Sequence, residues 1–254
     1  MTQDTNIGGA SGRFPATHWS AVLAARSDDP AERARALEAI AAAYWKPIYK
    51  YVRIRWSKSN EDAKDLTQDF FATLFEKEYL DAFDPAKGRL RTFLRICADR
   101  FVANEAKAAT RLKRGGGAAH LSLDFDAAET ELQRASPVMQ LASPESMDDF
   151  LEKEFIRSLF GIAVDKLRSE CESRGKQIQF RLFEIYDLES DGGRKASYAD
   201  LAREFQIAPT DVTNYLAFAR REFRRIALDC LREMTASEDE FRREARALLG
   251  VVPE

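Results

Sequence analysis

The sequence predicts an all-α protein: two helical domains joined by an acidic linker, the second containing a helix-turn-helix. Three observations carry this reading. Nearly every periodic stretch of the 254 residues repeats its apolar positions at helical spacing, and alternating runs of strand length are hard to find. Two such regions, 14–114 and 148–233, flank a segment of different kind at 115–147, with Gly115, Gly116, Gly117, Pro137 and Pro144 and little helical periodicity. Residues 197–225 read as two helices joined by a tight turn.

Taken in order, "MTQDTNIGGASGR" lacks a basic start followed by an apolar stretch, so residues 1–13 read as a frayed tail of a cytoplasmic protein rather than a signal peptide. "HWSAVLAA" gives a short helix carrying Trp19, Val22 and Leu23. In "DDPAER", Asp29 is placed to cap a second helix, Pro30 to fit its first position and Glu32 to close a capping box. That helix carries Leu37, Ile40, Tyr44, Ile48 and Val52 on one side, and Pro47 should kink or divide it.

The third helix, about 61–78 behind an Asn60 cap, raises a physical question. At 100° per residue Ala63, Leu66, Phe70 and Leu74 share a stripe, and Asp62, Asp65, Asp69 and Glu76 share its neighbour. Glu61 and Asp62 suit a helix start, but Asp65 and Asp69 lie past the first turn, where the helix dipole no longer rewards them. A like-charged i,i+4 pair costs roughly 0.2–0.5 kcal/mol. A basic partner would offset that cost.

After the turn-like "FDPAKG", a helix over 90–114 aligns Arg100, Asn104, Lys107, Arg111 and Arg114 along one line. Leu90, Leu94, Cys97, Phe101, Ala108 and Leu112 form the adjacent buried stripe. Such a row can face phosphates or simply water. The acidic helix beside it favours the first reading, since one charge pattern suits nucleic acid and the other a basic protein.

From 121 to 154 nine acids stand against Arg134 and Lys153, a net of −7. A long helix from near Asp148, with Phe155, Leu159, Ile162, Ala163 and Leu167 in register, opens the second domain. "SYADLAREFQIAPTDVTNYLAFARREFRR" then gives a helix with Tyr198, Leu201, Ala202 and Phe205, a turn holding Ile207 inward, and a second helix starting at Pro209. Val212, Tyr215, Leu216, Ala219, Phe223 and Ile226 point to one side. Opposite stand Thr210, Thr213, Asn214, Ala217, Arg221 and Arg224, a set able to bond base edges, touch a thymine methyl and clamp phosphates. In the extension 234–254, Ser237 and Glu240 form a capping box, and Phe241, Leu248 and Leu249 either pack back on the second domain or offer a docking site.

Composition narrows the chemistry. The longest apolar run, Ala39 to Trp45, is far short of a membrane span. Cys97, Cys171 and Cys230 are too dispersed for a disulfide or zinc framework, and His18 and His120 offer little for a histidine-based site. No catalytic residue, metal or cofactor is therefore expected. A net charge of −3 argues against coating nucleic acid unaided, so any DNA contact must be local.

The order of these parts resembles the extracytoplasmic-function class of bacterial RNA polymerase sigma factors, in a longer subgroup, over roughly residues 13–249. No single motif is diagnostic; the order and spacing are. "EDAKDLTQDFFATLFEK" looks like the segment that docks on the clamp helices of the polymerase β′ subunit, which implies polymerase-binding roles for Asp62, Asp65, Leu66, Asp69 and Phe70. "GRLRTFLRICADRFVANEAK" looks like the segment that melts and reads the minus-ten element, and "SYADLAREFQIAPTDVTNYLAFARREFRR" like the minus-thirty-five reader. "RFPATHWSAVLAA" and "YWKPIYKYVR" resemble the longer members. The resemblance implies a non-enzymatic initiation factor whose partners are core polymerase, through the β′ clamp helices and the β flap, and promoter DNA. The linker would either hold two domains apart or pass through the polymerase cleft in imitation of RNA. Control would fall to an anti-sigma protein or to a protein kinase acting on Thr67. Relatives often carry a polar amide at the position of Arg100 and more basic residues around Thr213, Asn214, Tyr215 and Phe218, so base specificity does not carry over. The main rival is a helix-turn-helix regulator that never joins polymerase, which leaves the acidic row unexplained; a metal site on Asp62, Asp65 and Asp69 has no phosphate loop or histidine to support it.

Overall fold

A computed structural model describes residues 21–109, 123–135, 144–189 and 196–251. They form α1 (Ala21–Ala24), α2 (Pro30–Arg55), α3 (Asn60–Glu76), α4 (Leu90–Ala109), α5 (Phe125–Ala135), α6 (Pro144–Ser173), α7 (Gln177–Phe183), α8 (Tyr198–Glu204), α9 (Pro209–Glu233) and α10 (Glu238–Leu249). A 3₁₀ turn at Tyr79–Ala82 follows α3, and a π-helical turn at Glu184–Leu188 continues α7. The all-helical expectation holds, with no strand among the described residues. Trp19, Arg111, Leu112 and Arg114 lie outside them.

Local chemistry sets the helix starts. Asp29 Oδ1 accepts from the Ala31 amide at 3.0 Å, and Pro30 occupies the first turn of α2. Glu32 does not close the expected capping box; its carboxylate accepts from Ser27 Oγ at 2.5 Å instead. Pro47 does not divide α2, which continues to Arg55 because residues on both sides of it, Ile40, Tyr44, Ile48, Tyr51 and Val52, are buried in the core. The cap of α3 is Ser59 rather than Asn60: Ser59 Oγ accepts from the Asp62 amide at 3.1 Å, whereas the Asn60 side-chain amide meets the Tyr49 hydroxyl at 2.8 Å.

The segment read as linker contains a helix. In α5, Phe125, Ala128 and Leu132 are buried, and Asp124 Oδ1 accepts from the Ala127 amide at 3.1 Å. The Phe125 ring packs edge-on against Trp45 and Tyr49 of α2, each with centroids 5.2 Å away. The carboxylates of α5 are paired with cations of the same chain. Glu129 accepts from Arg53 Nη2 at 2.6 Å and from the Tyr49 hydroxyl at 2.6 Å, and Glu131 pairs with Lys50 at 2.7 Å and Lys46 at 3.1 Å. The Arg53 bond, with Tyr49 helping, holds the Glu129 carboxyl down to about 2 against the opposing effect of burial.

Helix α6 starts at Pro144, a turn before the expected Asp148, and connects the two halves of the chain. Its first half packs on α2 and α4, where Phe155 stacks on Tyr44 with centroids 4.9 Å apart. Its second half packs on α7 and α9, with Phe160 edge-on to Phe223 at 5.6 Å. One contiguous cluster of buried apolar residues therefore runs from Ala21 to Ala245. Helix α10 packs back on α9, burying Phe241 and Ala245 and leaving Leu248 and Leu249 half-buried. Of the two alternatives for this extension, packing is the one observed.

Candidate nucleic-acid and partner interfaces

Helix α3 presents the carboxylates of Asp62, Asp65 and Asp69 to solvent while Ala63, Phe70, Phe71 and Leu74 anchor its other side. Among the described residues no cation pairs with any of the three, although Glu61, one position away, takes Lys64 at 3.2 Å. The Asp69 carboxyl is pushed above its ordinary value, first by partial burial and then by the charges of Asp65 and of Glu105 on α4. Leu66 is half-buried. Phe70, grouped with the docking residues by resemblance, is only 2% exposed and packs edge-on against Phe71 at 5.1 Å and Phe101 at 5.9 Å. It holds the helix in place and cannot itself touch a partner in this conformation. Thr67 is fully buried, its Oγ1 donating to the Ala63 carbonyl at 2.7 Å, so a kinase cannot reach it in the folded chain.

Helix α4 turns Arg100, Asn104 and Lys107 outward. Its inward side is centred on Leu90, Leu94, Ala98 and Val102, with Cys97 and Phe101 only half-buried, a rotation from the expected stripe. The rotation has a polar cause. Asp99, on the flank, accepts from the Tyr51 hydroxyl at 3.0 Å, Trp56 Nε1 at 3.0 Å and Arg95 Nη1 at 3.2 Å, which fixes α4 against α2. Burial, followed by the Asp99 charge, pushes the Tyr51 phenol up to about 12. The Cys97 thiol is also raised by burial, so it stays protonated.

The second presented surface lies on α9. Ser197 Oγ caps α8 by accepting from the Asp200 amide at 3.1 Å. The turn after α8 places Gln206 in the left-handed region, at φ 55°, and the Ile207 amide donates to the Ala202 carbonyl at 3.0 Å. Pro209 opens α9, and Asp211 Oδ2 accepts from the Ala208 amide at 3.3 Å. Val212, Leu216, Ala219 and Ile226 are buried, and Phe223 packs on Phe160 and, at 5.3 Å, on Phe183. Thr210, Thr213, Asn214, Ala217, Arg221 and Arg224 are all exposed, as their spacing predicts.

Arg220, beside this row, is committed to structure: it donates Nε and Nη2 to the two oxygens of Asp187 at 2.9 Å each and lies 5.4 Å over the Tyr186 ring. This bidentate bond ties α9 to the π-helical turn. Lys176, in the connection between α6 and α7, was not singled out by its sequence context, yet its Nζ sits 4.0 Å from the centroid of Phe218 on α9.

Among the described residues no group of three or more His, Cys, Asp or Glu is arranged to hold a metal, and no helix is long and apolar enough to cross a membrane. No family model, curated protein or solved structure matches this chain.

Proposed function

We propose that this chain is an RNA polymerase sigma factor of the extracytoplasmic-function type, in which residues 14–114 dock on core polymerase and melt the minus-ten element and residues 148–233 carry a helix-turn-helix that reads the minus-thirty-five element. One observation carries the reading. Among the described residues the row of Asp62, Asp65 and Asp69 is exposed and meets no cation, whereas many of the other acidic groups, such as Glu131, Glu244 and Asp187, are ion-paired. A basic coiled coil such as the polymerase clamp helices supplies the missing charge, steering association more than adding raw affinity.

The remaining surfaces fit the same role. Arg100 and Asn104 border the face where a base leaving the duplex stack would be received, a step costing a few kcal/mol. Helices α8 and α9 then form the reading unit, with Thr210, Thr213, Asn214 and Ala217 toward bases and Arg221 and Arg224 toward phosphates. Promoter DNA and core polymerase, through its β′ clamp helices and β flap, are the partners, and the protein performs no catalysis of its own. The carboxylates of α5 are already matched by Arg53, Lys46 and Lys50, which favours a structural role for that segment over imitation of RNA.

Co-purification tests the proposal. Full-length protein should retain core polymerase, D65K/D69K should lose it, and run-off transcription should fall in parallel. Retention of core enzyme by the double reversal would remove the docking role of α3. If the wild type binds no polymerase but still selects DNA, the protein is instead a helix-turn-helix regulator working alone.

A further inference from the structure

The presented row on α9 has a neighbour that comes from another element. Lys176 follows Gly175, whose φ of 66° reverses the chain after α6, and the reversal is closed by the Lys176 amide donating to the Cys171 carbonyl at 2.7 Å. The Lys176 side chain thereby lies on the Phe218 ring, and the Arg221 guanidinium lies over the same ring at 5.6 Å from its centroid. Phe218 directly follows Ala217 of the presented row and is half-buried, so the ring has little freedom to carry the two cations away.

Among the described residues these two cations have little carboxylate close to them. Among the described residues Lys176 has no carboxylate within ion-pair distance, and Arg221, with its side chain 71% exposed, meets the adjacent Glu222 at 3.4 Å and no other. Nearby bases behave differently. Arg174 is shared between Glu170 and Glu222, Arg225 among Glu170, Glu222 and Asp229, and Arg220 is held by Asp187. Lys176 and Arg221 thus share one aromatic ring beside the reading row, while Arg220 and Arg225 close by are held by carboxylates.

We infer that Lys176, Phe218 and Arg221 form a phosphate clamp for the DNA backbone flanking the bases faced by α9. The inference rests on the proposed DNA-reading role of α9 and adds a contact from outside the reading unit. An ammonium held on a ring is positioned before DNA arrives, so less side-chain freedom is lost on binding. A phosphate contact fixes register and orientation and carries no base preference, and each one adds about 0.9 to the slope of log affinity against log salt.

The test uses the full chain with core polymerase and duplexes that the wild type selects from a random library, with binding read by fluorescence anisotropy across a salt series. K176A should weaken binding several-fold, about equally on selected and scrambled duplexes, and reduce the salt slope by about one; K176R, which keeps the charge, should restore the slope. A single methylphosphonate linkage, which is uncharged, scanned along the duplex should mark one phosphate whose neutralisation weakens the wild type but not K176A. An unchanged slope in K176A with normal wild-type selection would overturn the clamp and leave the reading role of α9 intact. Loss of sequence preference in K176A would make Lys176 a base reader and equally overturn it. If the wild type selects no duplex at all, the DNA-reading role fails and the clamp with it.

Discussion

Arg91 Nη1 donates to Glu244 Oε2 at 2.6 Å, and both side chains are buried although 153 positions separate them in the chain. Glu244 also takes Arg89 Nε at 2.8 Å, and Arg91 Nη2 reaches Glu152 of α6 at 3.0 Å. Three helices that belong to different halves of the sequence, α4, α6 and α10, are thus joined by charge at one point.

Removing Glu244 takes the buried partner from Arg91 and leaves it only the more exposed Glu152 as counter-charge. E244A should destabilise the protein by about 3–5 kcal/mol in chemical denaturation, whereas the double replacement R91M/E244L should recover most of the loss. A cost below about 1 kcal/mol for E244A would mean that water reaches Arg91.

The acidic row of α3 should show the opposite balance between stability and function. D65N/D69N removes a like-charged i,i+4 pair and should stabilise the free chain by roughly 0.2–0.5 kcal/mol, seen as a small rise in melting temperature. The same variant should lose affinity for core polymerase in a pull-down. A variant that melts higher and still binds normally would show the row to be a plain solvated face.

Acid should loosen α5 through Glu129. Its carboxyl titrates at about 2 in the folded protein against an ordinary 4.5, so its stabilising contribution is complete above pH 4.5 and disappears as pH falls toward 2. The amount at stake is on the order of 3 kcal/mol. Urea melts at pH 5, 4 and 3 should record the decline, and E129Q should be less stable at pH 5 and flatter across the series.

On α9 the exposed row should divide by chemistry. If Asn214 makes a two-point contact to a base, N214A should cost about 1–3 kcal/mol of discrimination at one base pair. R224A should weaken binding to all duplexes alike and lower the salt slope. Affinities measured on single-base-pair variants of a selected duplex separate the two; equal losses for N214A on every variant would remove its reading role.

How far the sequence carried these features depended on how local their causes are. The buried face of α3 and both faces of α9 were legible because Ala63, Phe70 and Leu74, and Val212, Leu216 and Ala219, recur at helical spacing within one element. Helix α5 was missed although Phe125, Ala128 and Leu132 have that spacing, because the flanking glycines, prolines and acids dominate its composition. The rotation of α4 toward Ala98 depends on Asp99 meeting Tyr51 and Trp56, more than 40 positions away. Lys50 with Glu154, and Lys176 with Phe218, are likewise pairs that only the packing of distant helices creates.

The junction at Arg91 also has a consequence for biosynthesis. Arg91 leaves the ribosome 61 positions before Glu152 and 153 before Glu244, an interval of roughly 10–30 s for the later partner at ordinary rates of translation. During that time its guanidinium is best left in water, since an unpaired charge resists burial. Glu152 is the first of its partners to emerge, but the buried bond from Nη1 has to wait for Glu244, so the fully joined junction can be completed only late in translation.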